Sequence, residues 1–279
     1  MRSRASDLVD QLASDGRAGL IFVDEYGHRR DYTFAELATI SQRYAAVLRA
    51  FGVKKGDRVY VCLSASAKCI FALLALERVG ADAILDPAQV DGASAVIANR
   101  KSRAAIDENR GRFAADACYV LIGEECDGWA RLDTVAQMAS PVLGIEEPAD
   151  ETALTHARAQ ASEELCAVET DVVWCALHIG DGGWFHRALV QPWLLRAATV
   201  VHDHGFDAKE RLDLVRELEV TILLQRAGDY HAQLALPEPK RFKMPRLRRC
   251  LLLDGAGDDL LEQQWGERFG VPLTPYAAV

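Results

Sequence analysis

Short apolar runs of strand character alternate with segments of helical period along most of the chain, and no other feature constrains the fold as tightly. That alternation is the pattern of an α/β fold built on largely parallel sheet. The punctuation between segments agrees. Gly19 to Glu25 and Gly27 to Tyr32 read as two strands about a turn at Glu25-Tyr26-Gly27, and Thr33 with Glu36 spells a capping box. Phe34, Leu37, Ile40, Tyr44, Leu48 and Phe51 then share one helical face, with Gly52 at the C-terminal cap. Arg58 to Leu63 predicts a strand, Ser64-Ala65-Ser66 a capping turn, and Ala67 to Val79 an apolar helix closed by Gly80.

The same reading predicts strands at Ala81 to Leu85, Ala95 to Ala98 and Cys118 to Ile122, with a helix near Ser102 to Ala114. Pro141 to Asp150 is acidic and contains proline, which makes it the best boundary in the chain. Residues 1–145 are therefore expected to form an N-terminal α/β lobe and 151–279 a second one. In the second half, helices are predicted at Glu151 to Ala167, Trp184 to Ala197 and Asp258 to Phe269, and one capped by Asp207 with Glu210. Strands are predicted at Asp171 to Ala176, Thr199 to His202, Val220 to Leu224 and Arg249 to Leu253, with a last short run at Val271 to Leu273.

A chain of 279 residues that is 50% hydrophobic and 26% charged can bury a substantial core. Its formal charge of -9 argues against nucleic acid or an anionic membrane as a nonspecific partner. The basic run Lys240, Arg241, Lys243, Arg246, Arg248 and Arg249 is the local exception, and it reads first as a solvated loop that balances nearby acids. Seven scattered cysteines, several inside apolar runs such as Val61-Cys62-Leu63, read as reduced core residues. Met1 to Leu20 lacks a signal-peptide core and no segment has the length of a membrane span, so a cytoplasmic location is expected.

Three stretches stand out together. The first is Tyr32-Thr33-Phe34-Ala35-Glu36-Leu37 followed by Phe51-Gly52-Val53-Lys54-Lys55-Gly56-Asp57-Arg58-Val59 and the strand, polar turn and apolar helix after it. The second is Asp171-Val172-Val173-Trp174-Cys175 with Leu194 to His202, Phe206-Asp207 and Val220-Thr221. The third runs from Leu247 to Cys250 and from Trp265 to Leu273. In this order they resemble the AMP-forming acyl-CoA synthetase (acyl-adenylate ligase) superfamily, and the second is similar to its short- and medium-chain branch. The resemblance implies two packed α/β lobes like the large N-terminal domain of acyl-adenylate ligases, with the C-terminal domain and its adenylation lysine absent from this chain.

Adenylate formation needs a cradle of backbone N–H groups and cations for a triphosphate. The family's glycine-rich loop is expected between Ile145 and Thr155. In its place stands Glu146-Glu147-Pro148-Ala149-Asp150-Glu151-Thr152-Ala153-Leu154, with no glycine, no lysine and four carboxylates. His156 falls where the family has a histidine after that loop, and is read first as a solvent-facing side chain. Tyr230 is what remains of the acyl-pocket segment, Gly255 and Gly257 of the nucleotide-approach glycines, and Tyr276 of the adenine and magnesium motif. Trp184, in Gly180-Asp181-Gly182-Gly183-Trp184, corresponds to a loop near the acyl tunnel. Trp184, Tyr230, Gly255, Gly257 and Tyr276 are thus the expected substrate-binding residues, and no catalytic residue is expected.

His202-Asp203-His204 superficially resembles a metal site, but the two imidazoles share a face only if the strand continues, and no third ligand is evident in the sequence. No metal is expected. The leading expectation is a noncatalytic homologue that binds a small carboxylate or acyl ligand, a full-length ligase partner or a second copy of itself, without cofactor. The alternatives are an active carboxylic acid-CoA ligase that uses ATP, magnesium and CoA through a rebuilt site, with the basic run near Lys240 to Arg249 as its phosphate contact, and a decayed gene product.

Overall fold

The computed structural model describes residues 5–141, 151–237, 242–254 and 258–276. The first half runs α1 (Ala5–Leu12), β1 (Ala18–Val23), β2 (Arg29–Thr33), α2 (Phe34–Ala50), β3 (Arg58–Cys62), α3 (Ala67–Val79), β4 (Asp82–Ile84), β5 (Ala95–Asn99), α4 (Arg100–Glu108), β6 (Cys118–Ile122), β7 (Ala130–Arg131) and α5 (Leu132–Met138). The second half runs α6 (Glu151–Leu165), β8 (Val172–Cys175), α7 (Gln191–Leu194), β9 (Ala198–His202), α8 (Ala208–Glu217), β10 (Ile222–Gln225), α9 (Ala227–Leu234), β11 (Arg249–Leu252), α10 (Asp259–Phe269) and β12 (Leu273–Pro275). The chain is α/β throughout and divides into two units.

The unit of residues 2–17 and 32–149 holds a five-stranded sheet in the order β4-β3-β5-β6-β7, parallel at every pairing. Alternation along these strands buries both faces. Tyr60, Val96, Ala98 and Leu121 join Ile106 of α4 and Phe113 in one cluster, and Val59, Val61, Ile97 and Val120, also buried, point the other way. The capping box at the start of α2 is present as predicted, with the Glu36 amide donating to Thr33 Oγ1 at 3.2 Å and the Thr33 amide to Glu36 Oε2 at 2.8 Å. Helix α3 is apolar all round and buried from Cys69 to Leu76. Ser66 caps it, and Gly80 closes it at φ 81°, where a Cβ would meet Lys55 Cγ at 3.0 Å. The helix expected near Ser102 to Ala114 begins earlier, at Arg100, because Asn99 and Ser102 form a second capping box; it ends at Glu108 and gives way to a tight turn at Arg110–Arg112.

The other unit, residues 18–31 and 150–279, holds a seven-stranded sheet in the order β12-β11-β10-β8-β9-β1-β2. The hairpin β1–β2, which a division at the acidic segment alone would assign to the first lobe, belongs to this sheet. Leu20, Ile21, Phe22 and Val23 pair in parallel with Thr199, Val200, Val201 and His202. The predicted helix Trp184 to Ala197 is a wide π-helical turn over His186–Val190 that runs into α7. Pro192 explains it: proline has no N–H for the Ala188 carbonyl, and the buried Thr199 hydroxyl donates to that carbonyl instead. Beneath the sheet, Trp265 is fully buried with its ring 4.7 Å from that of Tyr230 and 4.3 Å from that of Phe269. Among the described residues no helix is long and apolar enough to cross a membrane.

Candidate functional site

The strand order defines where a ligand is best received. From β8 the chain passes to β9 on one side and then to β10 on the other, which makes the carboxyl ends of β8 and β10 the switch point of this sheet, the place where open α/β sheets receive ligands. Asp181, in the loop after β8, folds that loop by accepting the His178 amide at 2.8 Å, and it pairs with Arg226 after β10 at 2.9 Å. An ion pair therefore spans the switch point. Asp254, following β11, accepts the Ala227 amide at the start of α9 at 2.6 Å. Cys175 ends β8 fully buried, and burial pushes its thiol up to about 12, so it stays protonated and is no nucleophile.

Further along the same edge, Tyr276 follows β12. Its hydroxyl lies 2.6 Å from Glu164 Oε2 and 2.8 Å from Gln191 Oε1, and Glu164 also accepts hydrogen bonds from Gln191 and from Gln160. Glu164 is buried on α6, and the Arg187 guanidinium stands 5.5 Å from the Tyr276 ring centre. Burial, then the neighbouring Glu164 carboxylate, raises the pKa of the Tyr276 phenol, which holds it neutral as a donor.

Of the expected binding residues that the structure describes, Tyr276 alone lies in a polar cluster at the strand ends. Trp184 is 3% exposed. Tyr230 is 0% exposed, with its hydroxyl 3.0 Å from the Leu223 carbonyl and 3.2 Å from that of Leu251. It packs in the core from α9, and its one polar atom is taken up by the sheet's own backbone. Gly255 and Gly257 lie outside the described residues. His156 is exposed on α6, in keeping with a solvent-facing side chain. Sequence reasoning missed Glu164, although an acid in step with the buried Leu154, Ala161 and Leu165 was the signal for it.

The basic run near Lys240 to Arg249 does not make a phosphate patch in its described part. Arg248 donates to both oxygens of the buried Asp171, at 3.0 and 2.5 Å, and to the Cys166 carbonyl at 2.7 Å. Arg249 donates to the Leu165 carbonyl at 3.4 Å, so the two arginines cap the last carbonyls of α6. One expectation is corrected: His202 and His204 do have a third potential ligand, Glu210. Burial lowers the His202 pKa, with Glu210 opposing, so its imidazole is neutral at pH 7.

Comparison with known proteins bears on the scaffold that carries these residues. Residues 11–108 match the family described as AMP-binding enzyme. Acetyl-coenzyme A synthetase of Pasteurella multocida is 38% identical over 65 residues, 23% of this chain and 10% of that protein. Acetyl-coenzyme A synthetase 2 of Zygosaccharomyces bailii is 41% identical over 80 residues, 28% of this chain and 12% of that one. The matched stretches thus span about a tenth of these relatives' length. In fold, the anthranilate CoA ligase AuaEII, solved with anthranoyl-AMP, superposes with a TM-score of 0.83 at 18% identity over 98% of this chain and 59% of its own. The acyl-CoA synthetase of Brucella canis gives 0.81 at 19% identity, over 97% and 56%. Residues 11–108 thus carry the AMP-binding signature, short stretches are similar to acetyl-coenzyme A synthetases, and the described chain shares the fold of acyl-CoA ligases.

Proposed function

We propose that this chain is a degenerate homologue of the AMP-forming acyl-CoA synthetases, noncatalytic by itself, that acts by binding a partner chain or a small carboxylate or acyl ligand. The observation that carries this reading is the segment 146–154, which offers four carboxylates and neither glycine nor lysine where a triphosphate would have to be cradled. A helix N-terminus attracts phosphate through its unpaired N–H groups, and α6 instead opens on Glu151, directly after Asp150. The pairing of Arg226 with Asp181 at the switch point supports the same reading, since it neutralises a cation that an anionic ligand would otherwise use. Arg248 is likewise committed to Asp171, which disfavours a rebuilt phosphate site in the basic run.

The test is ATP–pyrophosphate exchange by the purified chain across a panel of carboxylic acids, with a complete ligase assayed in parallel. No acid-dependent exchange above the protein-free blank is expected. Exchange that follows the chain through purification and is lost in R226A or R248A overturns the proposal in favour of an active ligase.

A further inference from the structure

We propose that His202, His204 and Glu210 form a binding site for a divalent transition-metal ion of the zinc type, separate from any nucleotide or acyl site. One ligand atom from each of the three lies within 4.8 Å of the other two. The backbone explains why they meet. His202 pairs with Val23 at the end of β9, and the Asp203 amide donates to the Val23 carbonyl at 3.0 Å, so extended pairing runs one residue beyond the strand and keeps residues 202 and 204 on one face. Their rings stand 5.8 Å apart. Asp207 then caps α8 by accepting the Glu210 amide at 2.7 Å, which folds the chain back and brings Glu210 Oε2 to 3.6 Å from His204 Nδ1.

His202 is the fixed member of the set. Its ring packs edge-on against Trp174 at 5.9 Å, and its buried Nε2 has no hydrogen-bond partner among the described residues. A buried polar nitrogen left unsatisfied is costly, and a metal bond or a water ligated to the metal relieves it. The His204 and Glu210 side chains are 48% and 38% exposed and free to close on an ion held by His202. Tetrahedral zinc with bonds of about 2.0–2.2 Å sets its ligand atoms about 3.3–3.6 Å apart, so the needed closure is at most about 1.5 Å. The nearby Arg211 cation is offset by Asp229 at 2.8 Å and lies over the Phe206 ring. Two imidazoles with one carboxylate favour zinc, cobalt, nickel or copper over magnesium and calcium, and three protein ligands leave a fourth position for water.

The experiment uses the full chain without a polyhistidine tag, stripped of metal by chelator and titrated with Co²⁺ and with Zn²⁺ against a chromophoric competitor. All seven cysteines are free, so the cobalt spectrum must identify the ligands. The expected result is one equivalent of Co²⁺ with ligand-field bands and no thiolate charge-transfer band, displaced by Zn²⁺. The H204A and E210Q variants, both at exposed side chains, should each lose about tenfold or more in affinity with unchanged circular dichroism. Absence of stoichiometric binding, a thiolate signature, or full affinity in H204A overturns the proposal.

Discussion

Replacing Arg248 by alanine isolates the contact that fastens the end of α6 to the start of the central strand β8. The side chain makes two charge-assisted hydrogen bonds to Asp171 and one to the Cys166 carbonyl. Each charge-assisted bond is worth about 1.5–3 kcal/mol when shielded, and an exposed ion pair about 0–1 kcal/mol. The pair lies between these limits, with the Arg248 side chain 42% exposed and that of Asp171 4%. R248A leaves the buried carboxylate with the Val168 amide and the Thr221 hydroxyl as support, so a loss of about 2–3 kcal/mol is expected at pH 7. Four of the five tryptophans, Trp174, Trp184, Trp193 and Trp265, belong to this unit, so fluorescence in urea reports on it. With a slope of about 3 kcal/mol per molar urea, the midpoint should fall by about 0.7–1 M. R248K, which keeps the charge and loses the fork, should fall about half as far. Burial raises the Asp171 pKa, but the Arg248 hydrogen bonds, with those of Val168 and Thr221, outweigh it and hold the carboxyl below 3.8. Because the folded pKa is depressed, this stabilisation is complete above that value and lost as pH falls through the folded pKa. The gap between wild type and R248A should therefore narrow below about pH 4. An unchanged midpoint at pH 7, or a gap that persists undiminished in acid, refutes the reasoning.

T33A removes the capping box of α2 and should cost about 1 kcal/mol, whereas T33S should cost little; thermal melts of the two variants decide it. W265A empties the centre of the seven-stranded unit and should cost about 3–5 kcal/mol, read from the urea midpoint and from loss of near-ultraviolet dichroism. T199V strands the Ala188 carbonyl and should cost about 1–3 kcal/mol. Adding P192A to T199V should recover part of that loss, because alanine returns an amide to the turn; a double variant no more stable than T199V contradicts the account of the π-helical turn.

The elements legible in the sequence are those whose signals are local. Helix α3 has its predicted limits because a serine cap, an unbroken apolar run and a left-handed glycine lie within fifteen residues of one another, and β6 because a pure apolar run stands alone. Helix α1 and the pair β7 and α5 were not anticipated: a two-residue strand has no period to detect, and an eight-residue amphipathic helix is short enough to pass for a loop. Helix α9 has too few apolar residues for its sequence to announce a helix, although its Tyr230 is fully buried. Pairing of β1 with β9 joins residues far apart in sequence, and nothing in either strand announces the partner. The same distance hid Asp171 from Arg248, which turned a basic run that looked solvated into the cap of α6. The third metal ligand was hidden differently, since Glu210 joins the two histidines only once Asp207 has turned the chain.

Kinship and chemistry rest on different parts of this chain. The family match covers residues 11–108, most of which build the five-stranded unit, while the switch point of the larger sheet, Tyr276 and Glu164 lie in the unit of residues 18–31 and 150–279. Parallel strands and their helices are specified by periodic apolar residues, each supported by many neighbours, so a scaffold persists while the loops after its strands change. In those loops a single exchange alters chemistry at little cost to the fold, because an exposed pair such as Asp181 with Arg226 contributes about 1 kcal/mol or less. A likeness at 18% identity thus carries the fold, and leaves the groups that would act on it to be determined residue by residue. The carboxylates of 146–154 and the Asp181–Arg226 pair are therefore the positions at which exchange of the loop sequence and of the arginine tests the proposed loss of adenylation.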